Sequence, residues 1–237
     1  MKSVAVGCES PIGAKRPKTR NTMTLYYFPG ACALADHIVL EWIGAPYETV
    51  RMSHASIKAP DYLALNPGGT VPLLVEGDFL LTENIAILNY LSDLNPGARL
   101  FGDGTPRQRA DIMRWLGFLN SDVHGAFKPI FTPERYLPDP AAANAVAATA
   151  RGNVLKYLGH IDHKFGSKDW LTGARSAADP YLFVMLRWAI HLAMDIGELK
   201  NLLRFIERMQ ADPGVRTALF AEESDVIQHA SPRTRTG

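Results

Sequence analysis

Apolar positions in the first hundred residues follow two alternating periods. Positions 24–28 form a short aromatic, β-rich run closed by Pro29-Gly30, which predicts a strand. Over 33–43, Leu34, Ile38 and Trp42 recur at helical spacing, and Gly44 stands where a helix-ending glycine belongs. Positions 47–51 predict a second strand, followed by a polar loop holding Pro60 and Pro67-Gly68-Gly69. Two more strands, 71–75 and 79–81, are predicted on either side of Glu76-Gly77-Asp78, a connection short enough for a hairpin. Thr82 is then expected to cap a helix reaching about Leu91, with Ile85, Leu88 and Leu91 on one stripe. A strand–helix–strand unit implies a parallel pair, and the hairpin adds an antiparallel strand. The first part of the chain therefore predicts a small mixed sheet carrying helices.

After Asn95-Pro96-Gly97 the period of two disappears. Thr105 is a good N-cap, with Pro106 at the first helical position. Ile112, Leu116, Leu119 and Val123 then mark one face of a long helix, and 129–140 reads as a loop. The Ala-rich segment 141–165 keeps Val146, Val154, Leu158 and Ile161 in helical register. Ser176-Ala-Ala-Asp179 has the form of a capping box, with Asp in place of Glu or Gln, ahead of the apolar run 181–193. Shorter helices are predicted at 199–209 and 215–220, separated by Asp212-Pro213-Gly214. The second part is all-α. The fold class is thus α/β plus all-α, with domains at 23–97 and 105–223.

Composition narrows the function classes. The 237 residues are 47% hydrophobic and 21% charged with a net charge of +1, which excludes a disordered chain and argues against nucleic acid as a partner. The longest apolar run is broken by Arg187 and His191, so no membrane span is expected. Two cysteines, Cys8 and Cys32, leave no room for a disulfide framework or a Cys-rich zinc site. Charge is uneven: residues 1–22 hold Lys2, Lys15, Arg16, Lys18 and Arg20 against Glu9, a net +4 on a body of −3. Their apolar run, 4–8, is too short and precedes most of the charge rather than following it, so an unstructured extension is expected rather than a secretory signal. A flexible tail is expected over 224–237.

Four local features carry candidate chemistry. Cys32 lies between the first strand and the first helix, where free N–H groups and the helix dipole favour thiolate; the alternative is an inert buried cysteine. Pro72 enters a strand after Gly69-Thr70-Val71, where a cis bond would turn the backbone of Val71 toward a partner; an ordinary trans proline is the alternative. Thr82-Glu83-Asn84 opens a helix whose amides suit a carboxylate, or is a plain N-cap. His124 sits beside an apolar stripe, as a proton carrier or as a hydrogen-bonded core histidine. His160 and His163 share a helical face without acid or cysteine partners and read as solvated surface. No metal site is expected.

The order of these features is more specific than any one of them. Met23-Thr-Leu-Tyr-Tyr-Phe-Pro-Gly-Ala-Cys32, Asn66-Pro-Gly-Gly-Thr-Val-Pro72 and Leu81-Thr-Glu-Asn-Ile-Ala-Ile87 resemble the thioredoxin-like half of glutathione S-transferases, the bacterial beta class in particular. In the helical part, Trp115-Leu116 through Val123-His124 and Phe127, then Ala178-Asp179-Pro-Tyr-Leu-Phe-Val-Met-Leu-Arg-Trp188, resemble the same class. The resemblance covers about residues 23–220.

It implies an N-terminal thioredoxin-like domain followed by an all-helical one, in a cytoplasmic, homodimeric detoxification enzyme. It also implies glutathione as co-substrate and a small electrophile as second substrate. By position, Cys32 would contact the glutathione sulfur and be able to form a mixed disulfide with it, with Tyr27 nearby. Val71, before a cis Pro72, would pair its backbone with the cysteinyl part. Glu83 and Asn84 would hold the γ-glutamyl end, and His124 would bind or polarise the thiol. Several positions depart from the family pattern: Asn84 replaces a common Ser or Gly, Ala33 a hydroxyl residue, and Gly117 an Asn. Ser53 and His54 fall where a lysine is expected, with Lys58 close by. Phe118, Phe127, Ile130 and Phe131 are candidates for the electrophile wall or for plain core packing. Conjugation is thus expected, with thiol–disulfide exchange at Cys32, or glutathione binding without turnover, as alternatives.

Overall fold

The computed structural model describes residues 22–230, with side chains through Glu223. Four strands form one sheet: β1 (Met23–Tyr27), β2 (Tyr47–Arg51), β3 (Leu73–Glu76) and β4 (Phe79–Thr82), in the order β2-β1-β3-β4. β1 runs parallel to β2 and antiparallel to β3, and β3 is antiparallel to β4. This is the mixed sheet that the strand–helix–strand and hairpin pattern predicts. Alternation then decides the faces: Leu25, Tyr27 and Leu74 enter the main core, whereas Leu73 and Val75 join Met52 and Tyr62 in a smaller cluster on the other side.

The helices α1 (Leu34–Ile43), α2 (Pro60–Leu65) and α3 (Asn84–Leu94) accompany the sheet. Gly44 ends α1 in the left-handed region at φ 72°, and its N–H bonds to the carbonyl of Leu40, as the glycine position predicts. Helix α2 was not expected: it is six residues long, and a single side chain, Tyr62, is buried on it. Thr82 is not a cap, since it continues β4 opposite Leu73. The chain turns instead at Glu83, the residue preceding α3.

The remainder is helical: α4 (Pro106–Phe118), α5 (Gly125–Phe131), α6 (Pro140–Phe165), α7 (Ala178–His191), α8 (Lys200–Ala211) and α9 (Pro213–Ala230). Thr105 caps α4 by accepting from the N–H of Gln108. A π-helical turn, Leu119–His124, joins α4 to α5 without a break. Helix α5 runs through Pro129, where the loop was expected to begin, because Phe127 and Phe131 pack on Trp188 and hold the extra turn. Helix α9 continues past Glu223, where the sequence pattern ended the helical part. One core joins both parts: Leu25, Ile38 and Leu88 belong to the same buried cluster as Leu116, Phe183 and Phe205. Cys8 and the basic segment 1–21 lie outside the described residues.

Candidate functional site

The loop from Pro29 to Ala33 is pinned from three directions. Gly30, at φ 74°, takes a backbone shape that an L side chain resists. Its N–H donates to Glu222 Oε2 of α9 at 3.0 Å, and its carbonyl accepts from Trp188 Nε1 of α7 at 2.7 Å. Two residues on, the carbonyl of Cys32 accepts from Asn84 Nδ2 at 2.9 Å, which ties the loop to the start of α3. The helical part thus holds the loop two residues ahead of the cysteine, and α3 holds the cysteine itself.

Cys32 is half-buried, with Sγ 3.9 Å from the carbonyl oxygen of Val71. The Val71–Pro72 bond is cis. The loop leading to it is held by Tyr62 Oη and Asn66 Nδ2, both donating to the carbonyl of Thr70 at 2.5 and 2.8 Å. Lys58 Nζ donates to the carbonyl of Gly69 at 3.1 Å, so this ammonium lies beside the same loop. Gly69 admits no side chain: a Cβ there would sit 2.8 Å from Lys58 Nζ and 2.9 Å from the carbonyl oxygen of Ile57.

The thiolate expected at Cys32 is not what the environment favours. Burial pushes its pKa up to about 12, with negative charge at Asp36 adding and the backbone amides only partly offsetting this. Helix α1 begins at Leu34 with Ala33 as its cap, so Cys32 stands outside the first turn. Desolvation therefore outweighs the dipole, and the side chain is an S–H donor near neutral pH.

Glu83 is exposed and sits at φ 72°, ψ 117°, a strained shape for a residue with a Cβ. The side chain of Asn84 is buried; its Nδ2 donates to the Cys32 carbonyl, while its Oδ1 has no hydrogen-bond partner among the described residues. Tyr27 is fully buried against His37 and offers no surface to a ligand. Ala33 and Phe127 are also fully buried core residues. Phe131 is 45% exposed and meets Trp188 edge-on, and Phe118 packs on Trp115 and Tyr157.

His124 joins this group from the π-helical turn. Its ring is 4.9 Å from Trp188, and its Nδ1 is 2.8 Å from Tyr181 Oη. Tyr181 in turn donates to Asn120 Oδ1 at 2.8 Å. Burial, with help from Lys128, lowers the His124 pKa to about 4, so the ring is neutral near pH 7. Trp188 closes the circuit, touching His124 on one side and bonding to Gly30 on the other. The structure thus brings Cys32, Val71, cis-Pro72, the Glu83 turn and His124 around one place between the sheet and the helices. The pattern of apolar positions concealed Asn120, Tyr181, Trp188 and Glu222. Tyr181 and Trp188 were read inside an apolar run, and the signal available was the polar atom that each carries into it.

Residues 21–93 match the model for the glutathione S-transferase N-terminal domain. Glutathione S-transferase GST-4.5 of Xanthomonas campestris is 46% identical over 201 residues, which cover 84% of this chain and 98% of that protein. The chain belongs to the glutathione S-transferase family. A glutathione S-transferase from Xylella fastidiosa superposes with a TM-score of 0.82 at 47% identity, over 85% of this chain and 98% of that one. A bacterial beta class transferase from Sphingomonas chungbukensis does so with a TM-score of 0.75 at 38% identity, over 84% and 98%. The transferase fold expected from the order of motifs is therefore the observed one. Among the described residues, no helix is long and apolar enough to cross a membrane.

Proposed function

We propose that this family member is a glutathione transferase that joins the glutathione thiol to a small, mainly apolar electrophile. The observation that carries the reading is the chain of contacts that gathers Cys32, the Val71–Pro72 cis bond and His124: Cys32 Sγ lies against the Val71 carbonyl, and Trp188 packs on His124 while bonding to Gly30, two residues before the cysteine. Glutathione lies along the first domain, its cysteinyl main chain against Val71 and its γ-glutamyl carboxylate at the amides that open α3, where unsatisfied N–H groups meet an anion. Its thiol lies between Cys32 and His124. His124 accepts the thiol proton, giving an imidazolium and a thiolate. An imidazole with a pKa near 4 is a weak base alone, but here both charges arise together and each stabilises the other in a partly dry site. The thiolate attacks the electrophile and displaces its leaving group, and the imidazolium then releases its proton. Cys32 S–H donates to the thiolate throughout. Phe131, exposed beside Trp188, offers apolar surface to the second substrate.

The raised Cys32 pKa favours conjugation over thiol–disulfide exchange, because exchange requires the cysteine as thiolate. Cys32→Ala separates the two. Conjugation, followed with a chromogenic electrophile, is expected to survive with kcat/KM lower by about tenfold, the loss of one charge-assisted hydrogen bond of roughly 1.5 kcal/mol. Exchange with glutathione disulfide is expected to vanish. Conjugation abolished together with exchange would make Cys32 the nucleophile and reverse the order of the two activities.

The reading includes a cytoplasmic homodimer. Phe79 and Leu80 are 43% and 40% exposed on the edge strand β4, apolar surface of the kind that a second chain covers. Sedimentation at micromolar concentration gives two chains per particle if this holds and one if it does not.

A further inference from the structure

We infer that Tyr181 is a positioning residue that sets the tautomer of His124, so that Nε2 meets the glutathione thiol as a proton acceptor. The inference rests on the functional reading above for the identity of the thiol, but its geometry stands alone. Tyr181 is fully buried on α7, and its hydroxyl is the one polar group of its side chain. That hydroxyl has a single proton, which goes to Asn120 Oδ1 at 2.8 Å. His124 Nδ1 lies 2.8 Å from the Tyr181 hydroxyl oxygen. Two atoms without a proton between them do not make a hydrogen bond, so the proton of the second contact comes from the imidazole. A neutral imidazole has one N–H; with Nδ1 carrying it, Nε2 keeps a lone pair.

The surroundings hold each part of this relay in its role. Asn120 and His124 are four residues apart within the π-helical turn, and both reach the same hydroxyl. A π turn widens the helix by one residue and recurs where a side chain must be re-aimed. The ring plane is fixed edge-on against Trp188, which the carbonyl of Gly30 holds by Nε1. Burial first, and then the charged and titratable groups facing the hydroxyl, Cys32, Asp36 and Glu83, hold the phenol above its ordinary range against the opposing side chain of Asn84, so it remains a proton donor. Lys128 acts on the imidazole in the opposite sense, keeping it free of a second proton. A tautomer chosen by a third group is what a base needs when its ring is neutral.

The test reads the tautomer directly. In uniformly 15N-labelled protein without glutathione at pH 7, long-range proton–nitrogen correlations are expected to give a protonated Nδ1 and a bare Nε2 for His124. Tyr181→Phe keeps the ring in the core but removes the relay oxygen. Asn120→Ala keeps the tyrosine and frees its proton to turn toward Nδ1. Both variants are expected to move proton occupancy from Nδ1 to Nε2. Both are expected to lower kcat/KM by about tenfold or more, with the KM for glutathione changed less than about threefold, a share of what a general base contributes. If either variant fails to fold, the other decides. A wild-type His124 with its proton on Nε2 overturns the proposal, as does an unchanged tautomer in the folded variants. A wild-type protein that neither retains nor turns over glutathione overturns the functional reading separately, and the nitrogen shifts still decide the relay.

Discussion

Asp179→Ala is expected to lower the unfolding free energy by about 3–5 kcal/mol, the cost of removing one partner from a buried charged hydrogen-bond network. Asp179 is fully buried at the start of α7, and it accepts from the N–H of Leu171 at 2.9 Å and from the N–H and hydroxyl of Ser176 at 2.7 and 3.0 Å. Alanine leaves two main-chain donors and one hydroxyl without acceptors in a place water does not reach. Burial raises the Asp179 pKa to about 6, while the same donors and Arg175 pull it back toward the carboxylate. Three donors fixed on one side chain also close the loop 171–176 onto the helix that carries Tyr181 and Trp188, so this loss reaches the site as well as the fold. Urea unfolding followed by tryptophan fluorescence measures it; a shift below about 1 kcal/mol would show that water or a rotated Ser176 replaces the carboxylate.

The second large effect is at His124. His124→Gln keeps an amide able to donate to Tyr181 Oη but removes the proton acceptor, and kcat/KM for conjugation is expected to fall by about 100-fold. Retention on immobilised glutathione is expected to persist, because the Val71 and α3 contacts are untouched. Acid stability gives an independent sign. The folded pKa of about 4 lies below the ordinary 6.5, so between those values the unfolded chain binds the extra proton. Stability due to this group therefore rises with pH across that window and is lost as the pH falls through it. The Gln variant lacks that rise. Equal slopes in both proteins, or a variant with full kcat/KM, would remove His124 from the mechanism.

How legible each part was depended on whether the cause was local. The strand 47–51, the Gly44 stop and the Thr105 cap follow from neighbouring residues alone, and the structure has them where the pattern puts them. Helix α2 was hidden because its short run hides one residue, Tyr62, whose role is to hold the Thr70 carbonyl. Pro129 looks like a helix end in sequence; tertiary packing of Phe127 and Phe131 overrides it. The site divides in the same way. Cys32, Pro72 and Glu83 stand at junctions between elements, where the chain direction itself marks them. Asn120, Tyr181, Trp188 and Glu222 act on residues 61, 57, 158 and 192 positions away, and no periodicity carries that information. The protonation of Cys32 is hidden from the sequence for a related reason. The helix start is visible in sequence, but the burial that outweighs it is assembled only when distant parts of the chain pack together around the cysteine.

The central claim is that glutathione occupies the cleft between Cys32 and His124 with its main chain on Val71. A crystal structure of the protein grown with millimolar glutathione tests it most directly. The expected density places the tripeptide sulfur within about 4 Å of Cys32 Sγ and about 3.5 Å of His124 Nε2, with the cysteinyl N–H and carbonyl paired to Val71 and the γ-glutamyl carboxylate at the start of α3. Glutathione seated elsewhere, or a cleft holding only water at saturating concentration, would contradict the account.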